Sequence, residues 1–174
     1  MTPKPSTGGT LAELHQRAKL ALQLQRDAEV VQLWKEIVSL APDDLPANAG
    51  LGRWAQRAGV LTGAVHHLTR VARSDARNPR HWTDLALVHQ RRADAAGEEA
   101  ALYEALKADP QDLVALLMRG ALFERQGRTA DAVAAYTAAT IVAPPPDRLG
   151  PDVRSAVLHA AQVRQAHEQR LAEF

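Results

Sequence analysis

The seven histidines are the side chains of this sequence best suited to hold a metal ion or to move a proton. His66 and His67 are adjacent, so on a helix they point about 100° apart. There is no HExxH motif and no cysteine, which removes common zinc-ligand patterns and any thiol nucleophile. No phosphate-binding glycine loop and no nucleophile elbow is present. We therefore predict no catalytic site, metal or cofactor, with His89 partly buried and four further histidines on the surface, namely His15, His66, His67 and His159.

The elements that carry these residues follow a pattern with a period of about 34 residues. The segment from Leu113 to Pro144 shows it best, because it predicts two short helices with a glycine-centred turn and a proline at the end. Stepping back along the chain by this period keeps proline, small and large apolar residues in register. The three sets are Pro144, Pro110, Ala76 and Pro42; Gly120, Ala86, Gly52 and Ala18; and Tyr136, Leu102, Leu68 and Trp34.

Helix crossings explain why small residues recur. Glycine inside a helix costs about 1 kcal/mol relative to alanine, so Gly52 and Gly120 indicate a close approach of two helices. Two residues depart from the pattern, since Asn48 stands in an apolar set and Glu98 in a small-residue set. At Glu98 we expect either a local rotation of the second helix or a side chain that reaches out past the crossing.

This periodicity predicts an all-α fold, a right-handed α-solenoid of four helix pairs plus a C-terminal capping helix. An alanine-rich bundle is the alternative, but a bundle requires no fixed spacing between equivalent positions. We also expect a slightly overlong connection after the second pair, where Ala76 replaces the terminal proline. The predicted divisions are a disordered leader at 1–9, repeat units at about 11–44, 45–78, 79–112 and 113–146, and a linker with the capping helix at 147–174.

The last predicted helix begins at Gly150-Pro151-Asp152 and reaches about Glu173. An array of repeats needs a terminal element to cover the apolar face of its last unit, and we interpret this helix as that cap. A helix that leads into a further domain, or that contacts a second copy, is the alternative. Its apolar stripe consists of Val153, Ala156, Val157, Ala160, Val163, His167 and Leu171.

The four units, Leu11 to Pro144, resemble tetratricopeptide repeats. The resemblance implies a superhelix whose first helices line a concave groove for a protein or peptide. One subset of that family grips a C-terminal carboxylate; Lys19 and Arg80 match its clamp, whereas Gly50 and Asp84 do not.

The positions expected to face the groove hold six bases and one acid, in a chain whose net charge is +1. Arg57, Arg91 and Arg125 recur with the period of the repeat and would form a ladder along the groove. Charges that only solvate an exposed face are the alternative. The acid is Glu124, and the predicted partner-binding residues are Lys19, Arg53, Arg57, Arg80, Gln90, Arg91 and Arg125.

A narrower resemblance rests on ALLMRGALFERQGRTADAVAAY, followed by APPPDRLGPDVRSAV and a long closing helix. These segments are similar to the helical N-terminal region of bacterial aspartyl/asparaginyl β-hydroxylase-like proteins. The resemblance implies the substrate-recognition domain of an iron/2-oxoglutarate dioxygenase whose catalytic domain is absent from this chain. No residue matches the family's iron or 2-oxoglutarate ligands.

The leading hypothesis is a non-catalytic scaffold that binds an acidic protein or peptide in a basic groove. The low net charge and few aromatic residues disfavour nucleic acid. No apolar run approaches the roughly 18 residues of a membrane span, and the start lacks the apolar core of a signal peptide. We expect a cytoplasmic protein, in keeping with the lack of cysteine; the sequence leaves its oligomeric state open.

Overall fold

A computed structural model describes residues 9–173. The predicted disordered leader, apart from Gly9, lies outside the described residues. Within residues 9–173 the ordered elements are α-helices and one short 3-10 helix, with no strand, which confirms the predicted all-α class. The chain forms two compact units, residues 1–74 and 75–174.

The first unit contains two helix pairs, in which α1 packs on α2 and α3 packs on α4, while α2 also contacts α3. Its core is formed by leucine, valine, isoleucine and alanine side chains from all four helices. The helices are α1 (Leu11–Gln23), α2 (Asp27–Leu40), α3 (Leu45–Arg57) and α4 (Leu61–Ser74).

The second unit contains two further pairs and the closing helix, which lies against α8 and α7. Equivalent helices of the four pairs begin and end at one constant interval along the chain, so the repeat predicted from the sequence is a repeat of structure. The helices are α5 (Pro79–Arg91), α6 (Ala95–Ala108), α7 (Leu113–Arg125), α8 (Thr129–Val142) and α9 (Pro151–Ala172), with the 3-10 helix Pro146–Arg148 before α9.

Side chains at the helix starts supply the hydrogen bonds that the first turns lack. Thr10 and Glu13 form a capping box on α1, with Glu13 Oε2 accepting from the Thr10 amide at 2.8 Å. Asp44, Asp94 and Asp112 cap α3, α6 and α7 in turn, each accepting from the amide three residues further on. The caps fix where each helix begins.

The turn inside each pair places one residue in the left-handed region, and this residue also recurs with the period of the repeat. Gly59 and Gly127 occupy it with φ of 75° and 71°, and Gln25 and Ala93 with φ of 55°. The left-handed conformation at Gln25 explains why α1 ends at Gln23.

The expected overlong connection after the second pair was wrong. Residues 75–78 form a four-residue connection, equal in length to 41–44 and 109–112. Asn78 caps α5 by accepting from the Arg80 amide at 3.1 Å, and Pro79 occupies the first helical turn, where its missing N–H costs nothing. Helix α5 therefore begins at the position expected from the repeat, although Ala76 replaces the proline that ends the other units.

The close crossings predicted from the helical glycines are confirmed. A Cβ at Gly52 would lie 2.7 Å from Leu68 Cδ2, and one at Gly120 would collide with the ring of Tyr136. The closing helix α9 buries Ala160 completely, but Leu171, expected on its apolar stripe, is 64% exposed. No helix within residues 9–173 combines the length and hydropathy needed to cross a bilayer.

Candidate partner-binding surface

Three of the predicted binding residues lie on the first helices of the first unit, namely Lys19 on α1 and Arg53 and Arg57 on α3. All three are exposed or half-exposed, and none forms an ion pair within residues 9–173. Arg53 and Arg57 are one helical turn apart, so both extend from the same side of α3. Their charges are therefore available to an external group.

An open cleft of about 380 Å³ adjoins Lys19 on α1, and the exposed Arg17 also lines it. Arg17 was missed by the sequence reasoning because it does not occupy one of the repeat positions used to assign the groove. The remaining lining residues are Gln16, Leu20 and Gln23. The cleft adds a second exposed cation and two amides to the predicted surface.

The other four predicted residues lie in the second unit. Arg80 and Arg91 are exposed, and Gln90 is half-buried. Arg125 already has an internal partner, because its Nη2 donates to both carboxylate oxygens of Glu98 at 2.7 Å. This pair gives Arg125 a structural role between α7 and α6. A role for Arg125 in partner binding stays a prediction.

Glu98 departs from both sequence expectations. The helix is not rotated, since Glu98, Leu102 and their buried neighbours on α6 match the buried set of α8. The side chain does not reach outwards either, because Glu98 is only 1% exposed. The physical reason is Arg125, whose guanidinium enters from α7 and compensates the buried carboxylate.

Glu124, the one acid among the groove positions, is tied to two neighbours. Its Oε2 accepts hydrogen bonds from the Tyr136 hydroxyl at 2.8 Å and from His159 Nε2 at 2.9 Å, which joins α7, α8 and α9. The bond from His159, followed by that from Tyr136, holds the pKa of Glu124 below its ordinary value. Burial, aided by Glu124, raises the pKa of the Tyr136 hydroxyl.

Two histidines expected on the surface are instead half-buried. His15 Nε2 lies 2.9 Å from Asp44 Oδ2, and His67 Nδ1 lies 2.9 Å from Asn48 Oδ1. Burial lowers the pKa of His67 and so favours its neutral ring, while its neutral partner Asn48 makes this contact a hydrogen bond. Among residues 9–173, no three histidine or carboxylate groups come together as a metal site would require.

The other histidines are placed as follows. His159 and His66 are both exposed as expected, and His66 lies at the edge of an open cleft. His89 is half-buried, as predicted, and bonds Asp94 at 2.8 Å.

Asn48 explains the other departure from the repeat pattern. Its side chain is 1% exposed, and its Nδ2 donates to the carbonyl oxygens of Pro42 and Asp44, both at 2.8 Å. Together with the contact to His67, this network fastens the turn between α2 and α3 to α4. Asn48 therefore replaces apolar packing with hydrogen bonds and serves the fold.

Helix pairs that repeat at a constant interval, with small residues at their crossings, define a tetratricopeptide-like helical repeat protein. The solved structure of MamA protein has this fold and matches the chain with a TM-score of 0.65 at 13% identity, covering 95% of each chain. PilW, a widely conserved type IV pilus biogenesis factor, matches with a TM-score of 0.60 at 17% identity, covering 93% of this chain and 76% of PilW.

A double mutant of MamA RS-1 gives a TM-score of 0.66 at 16% identity, over 76% of this chain and 75% of that one. No protein-family model and no curated protein matches the sequence. These likenesses establish the fold, while the resemblance to β-hydroxylase-like proteins stays a prediction.

Proposed function

We propose that this chain is a non-catalytic scaffold that binds an acidic protein or peptide on the first helices of its repeats. The observation that carries the proposal is the set of accessible cations on α1 and α3, namely Lys19, Arg53 and Arg57. None of them has an ionic partner in residues 9–173. Arg125, by contrast, is already paired with Glu98.

The first helices of the first unit are basic and the second helix α2 is acidic, which supports this proposal. The first helix α1 carries Arg17 and Lys19 against Glu13, and α3 carries two arginines and no acid. The second helix α2 is acidic, with three carboxylates and one lysine. A segregated positive surface draws an acidic segment in quickly and holds it by several exposed contacts that salt weakens.

The role as a scaffold and the acidic nature of the partner are inferred from different observations. The repeat fold favours protein binding, because stacked helix pairs present an extended surface. The acidic character of the partner is inferred only from the cations on α1 and α3. A role as the recognition domain of a dioxygenase is a finer hypothesis that no contact or cleft of the described residues favours.

Binding of a fluorescent oligo-glutamate peptide tests the proposal, measured by anisotropy at low and high salt. The double variant Arg53→Glu/Arg57→Glu should lose about five- to thirtyfold in affinity, since it removes two exposed contacts that each contribute about 0.5–1 kcal/mol. Arg77→Glu/Arg148→Glu is the matched control, because both residues are exposed and form no ion pair in residues 9–173.

Equal losses in the two double variants would show that net charge alone attracts the peptide, and would remove the first helices as its site. An oligo-lysine peptide of the same length should not bind the parent. If both peptides bind equally, the surface does not select acidic partners.

A further inference from the structure

The second helix pair is the most one-sidedly charged part of the described chain. Residues 45–74 contain four arginines and two histidines but no aspartate or glutamate. Arg53 and Arg57 lie on α3, within the surface proposed above. The other two arginines, Arg70 and Arg73, lie on α4, outside that surface, and the proposed function gives them no role.

The α4 cations line an open cleft of about 610 Å³ together with hydroxyl groups. His66, Thr69, Arg70 and Arg73 follow a spacing of three and four residues, so they share one side of the helix. Ser74 and Asp43 complete the lining. All of these residues belong to the first unit.

Arg70 is held in place at the edge of this cleft. Its Nη1 donates to Asp43 Oδ1 at 2.6 Å and to the Pro42 carbonyl oxygen at 3.1 Å. Nε and Nη2 make no bond within residues 9–173, so this fixed guanidinium keeps donors for a further group. A guanidinium fixed by the fold loses less freedom when it binds a ligand.

The remaining donors are unpaired. Arg73 is exposed without an ionic partner in residues 9–173, and the hydroxyl groups of Thr69 and Ser74 have no hydrogen-bond partner there. The single carboxylate of the cleft, Asp43, is already bound to Arg70. Two guanidinium groups, two hydroxyl groups and a histidine thus face one open space.

We propose that this α4 cleft binds a phosphate monoester group. Arginine matches the oxygens of phosphate through paired N–H donors, and the hydroxyl groups donate to the remaining oxygens. A phosphate monoester carries more charge and more acceptor oxygens than a carboxylate, which suits a cleft with this many donors. The group comes either as a soluble phosphate compound or as a phosphorylated side chain of a protein, and both present the same chemistry.

Both arginines also have structural explanations that an experiment must separate from binding. Arg70 links α4 to the turn before α3. Arg73 lies in the last turn of α4, where a positive charge interacts favourably with the helix dipole. Replacement of Arg73 by lysine keeps the charge at the helix end and removes the planar fork. A purely structural role therefore leaves the Arg73→Lys variant unchanged in every assay.

Calorimetric titration of the full chain with phenyl phosphate, inorganic phosphate and a phosphoserine peptide tests the proposal. We expect saturable binding of phenyl phosphate that Arg73→Lys weakens about tenfold, the size expected for loss of a charge-assisted hydrogen bond. Unfolding in urea should be the same for this variant and the parent. Arg77→Lys, which makes the same exchange at an exposed arginine outside the cleft and outside the surface on α1 and α3, should leave the affinity unchanged.

The peptide and inorganic phosphate arms identify the source of the group. Tighter binding of the phosphoserine peptide than of its unphosphorylated form and of inorganic phosphate assigns a protein source, and the reverse order assigns a soluble compound. The proposal is overturned if no phosphate compound saturates, or if Arg77→Lys weakens binding as much as Arg73→Lys. Tighter, salt-sensitive binding of an oligouridylate would also overturn it, in favour of nucleic acid. The oligo-glutamate assay is independent of these outcomes, because its variants lie on α3.

Discussion

At the scale of single residues, two buried polar side chains give this repeat protein its individual character. Asn48 and Glu98 are each 1% exposed at positions where the repeat pattern calls for apolar or small residues. Each is compensated by partners from neighbouring segments, Asn48 by backbone carbonyl groups and Glu98 by Arg125. Neither partner follows from the sequence of one repeat, because each lies on another segment of the chain.

The Glu98–Arg125 pair predicts an asymmetric response to mutation. Arg125→Ala leaves a buried carboxylate without compensation and should lower the free energy of unfolding by about 2–4 kcal/mol. Glu98→Ala restores the small residue that α4 and α8 have at this position and leaves a half-exposed arginine to water, so it should cost about 1 kcal/mol or less. Urea unfolding of both variants and of the double variant measures the difference. Equal costs would show that Glu98 does not depend on Arg125.

The helical glycines predict a second contrast. A methyl group at Gly120 would collide with the ring of Tyr136, whereas one at Gly63 would meet only ordinary contacts at 3.5 Å or more. Gly120→Ala should therefore destabilise by about 1–3 kcal/mol through overpacking. Gly63→Ala should stabilise by about 0.5–1 kcal/mol, because alanine restricts the unfolded chain. Thermal unfolding that moves in the same direction for both would contradict the assigned helix crossing.

At the scale of elements, the helix bounds were the most predictable part of the structure. The pairing of side chains between helices was the least predictable. Caps such as Thr10 with Glu13, and stops such as Pro42, depend only on residues close together in the chain, so the sequence alone predicts them. The false overlong connection came from treating Ala76 as a missing stop, although Asn78 and Pro79 already define the next helix start.

Within the candidate site, accessibility could be predicted and pairing could not. The repeat positions place Lys19, Arg53 and Arg57 on the solvent-facing sides of their helices. Whether a cation is already bound depends on residues far along the chain, as with Arg125 and Glu98. Sequence spacing within one helix gives no information on such a contact.

The attachment of α9 predicts a dependence on pH. Hydrogen bonds from His159 and Tyr136 hold the pKa of Glu124 below its ordinary value of 4.5. A carboxyl group whose pKa is lower in the folded state contributes stability that is present above the unfolded pKa. That contribution is lost as the pH falls through the folded pKa. The free energy of unfolding of the parent should therefore decrease below pH 4.5 more steeply than that of Glu124→Gln.

Glu36→Gln is the control for this measurement, since Glu36 makes no side-chain hydrogen bond or ion pair in residues 9–173. Its pH profile should follow that of the parent. A parent and a Glu124→Gln variant with parallel profiles would mean that the contact between α7 and α9 does not contribute to stability.

At the scale of the whole molecule, a nearly neutral chain carries an uneven distribution of charge. The net charge is +1, yet residues 45–74 have no acid and four arginines. Neutrality on average keeps long-range attraction to polyanions weak, while a local surface still selects an anionic partner at short range. The place where an anionic ligand binds therefore distinguishes a specific site from general charge attraction better than its affinity does.

Amide chemical-shift mapping of the isotope-labelled chain shows where an oligo-glutamate peptide binds. If the cations on α1 and α3 form its site, the largest saturable changes occur around Lys19, Arg53 and Arg57, and Arg53→Glu/Arg57→Glu abolishes them. Changes centred on α2 or on the α4 cleft, or spread evenly over exposed arginines and lysines, would contradict this assignment.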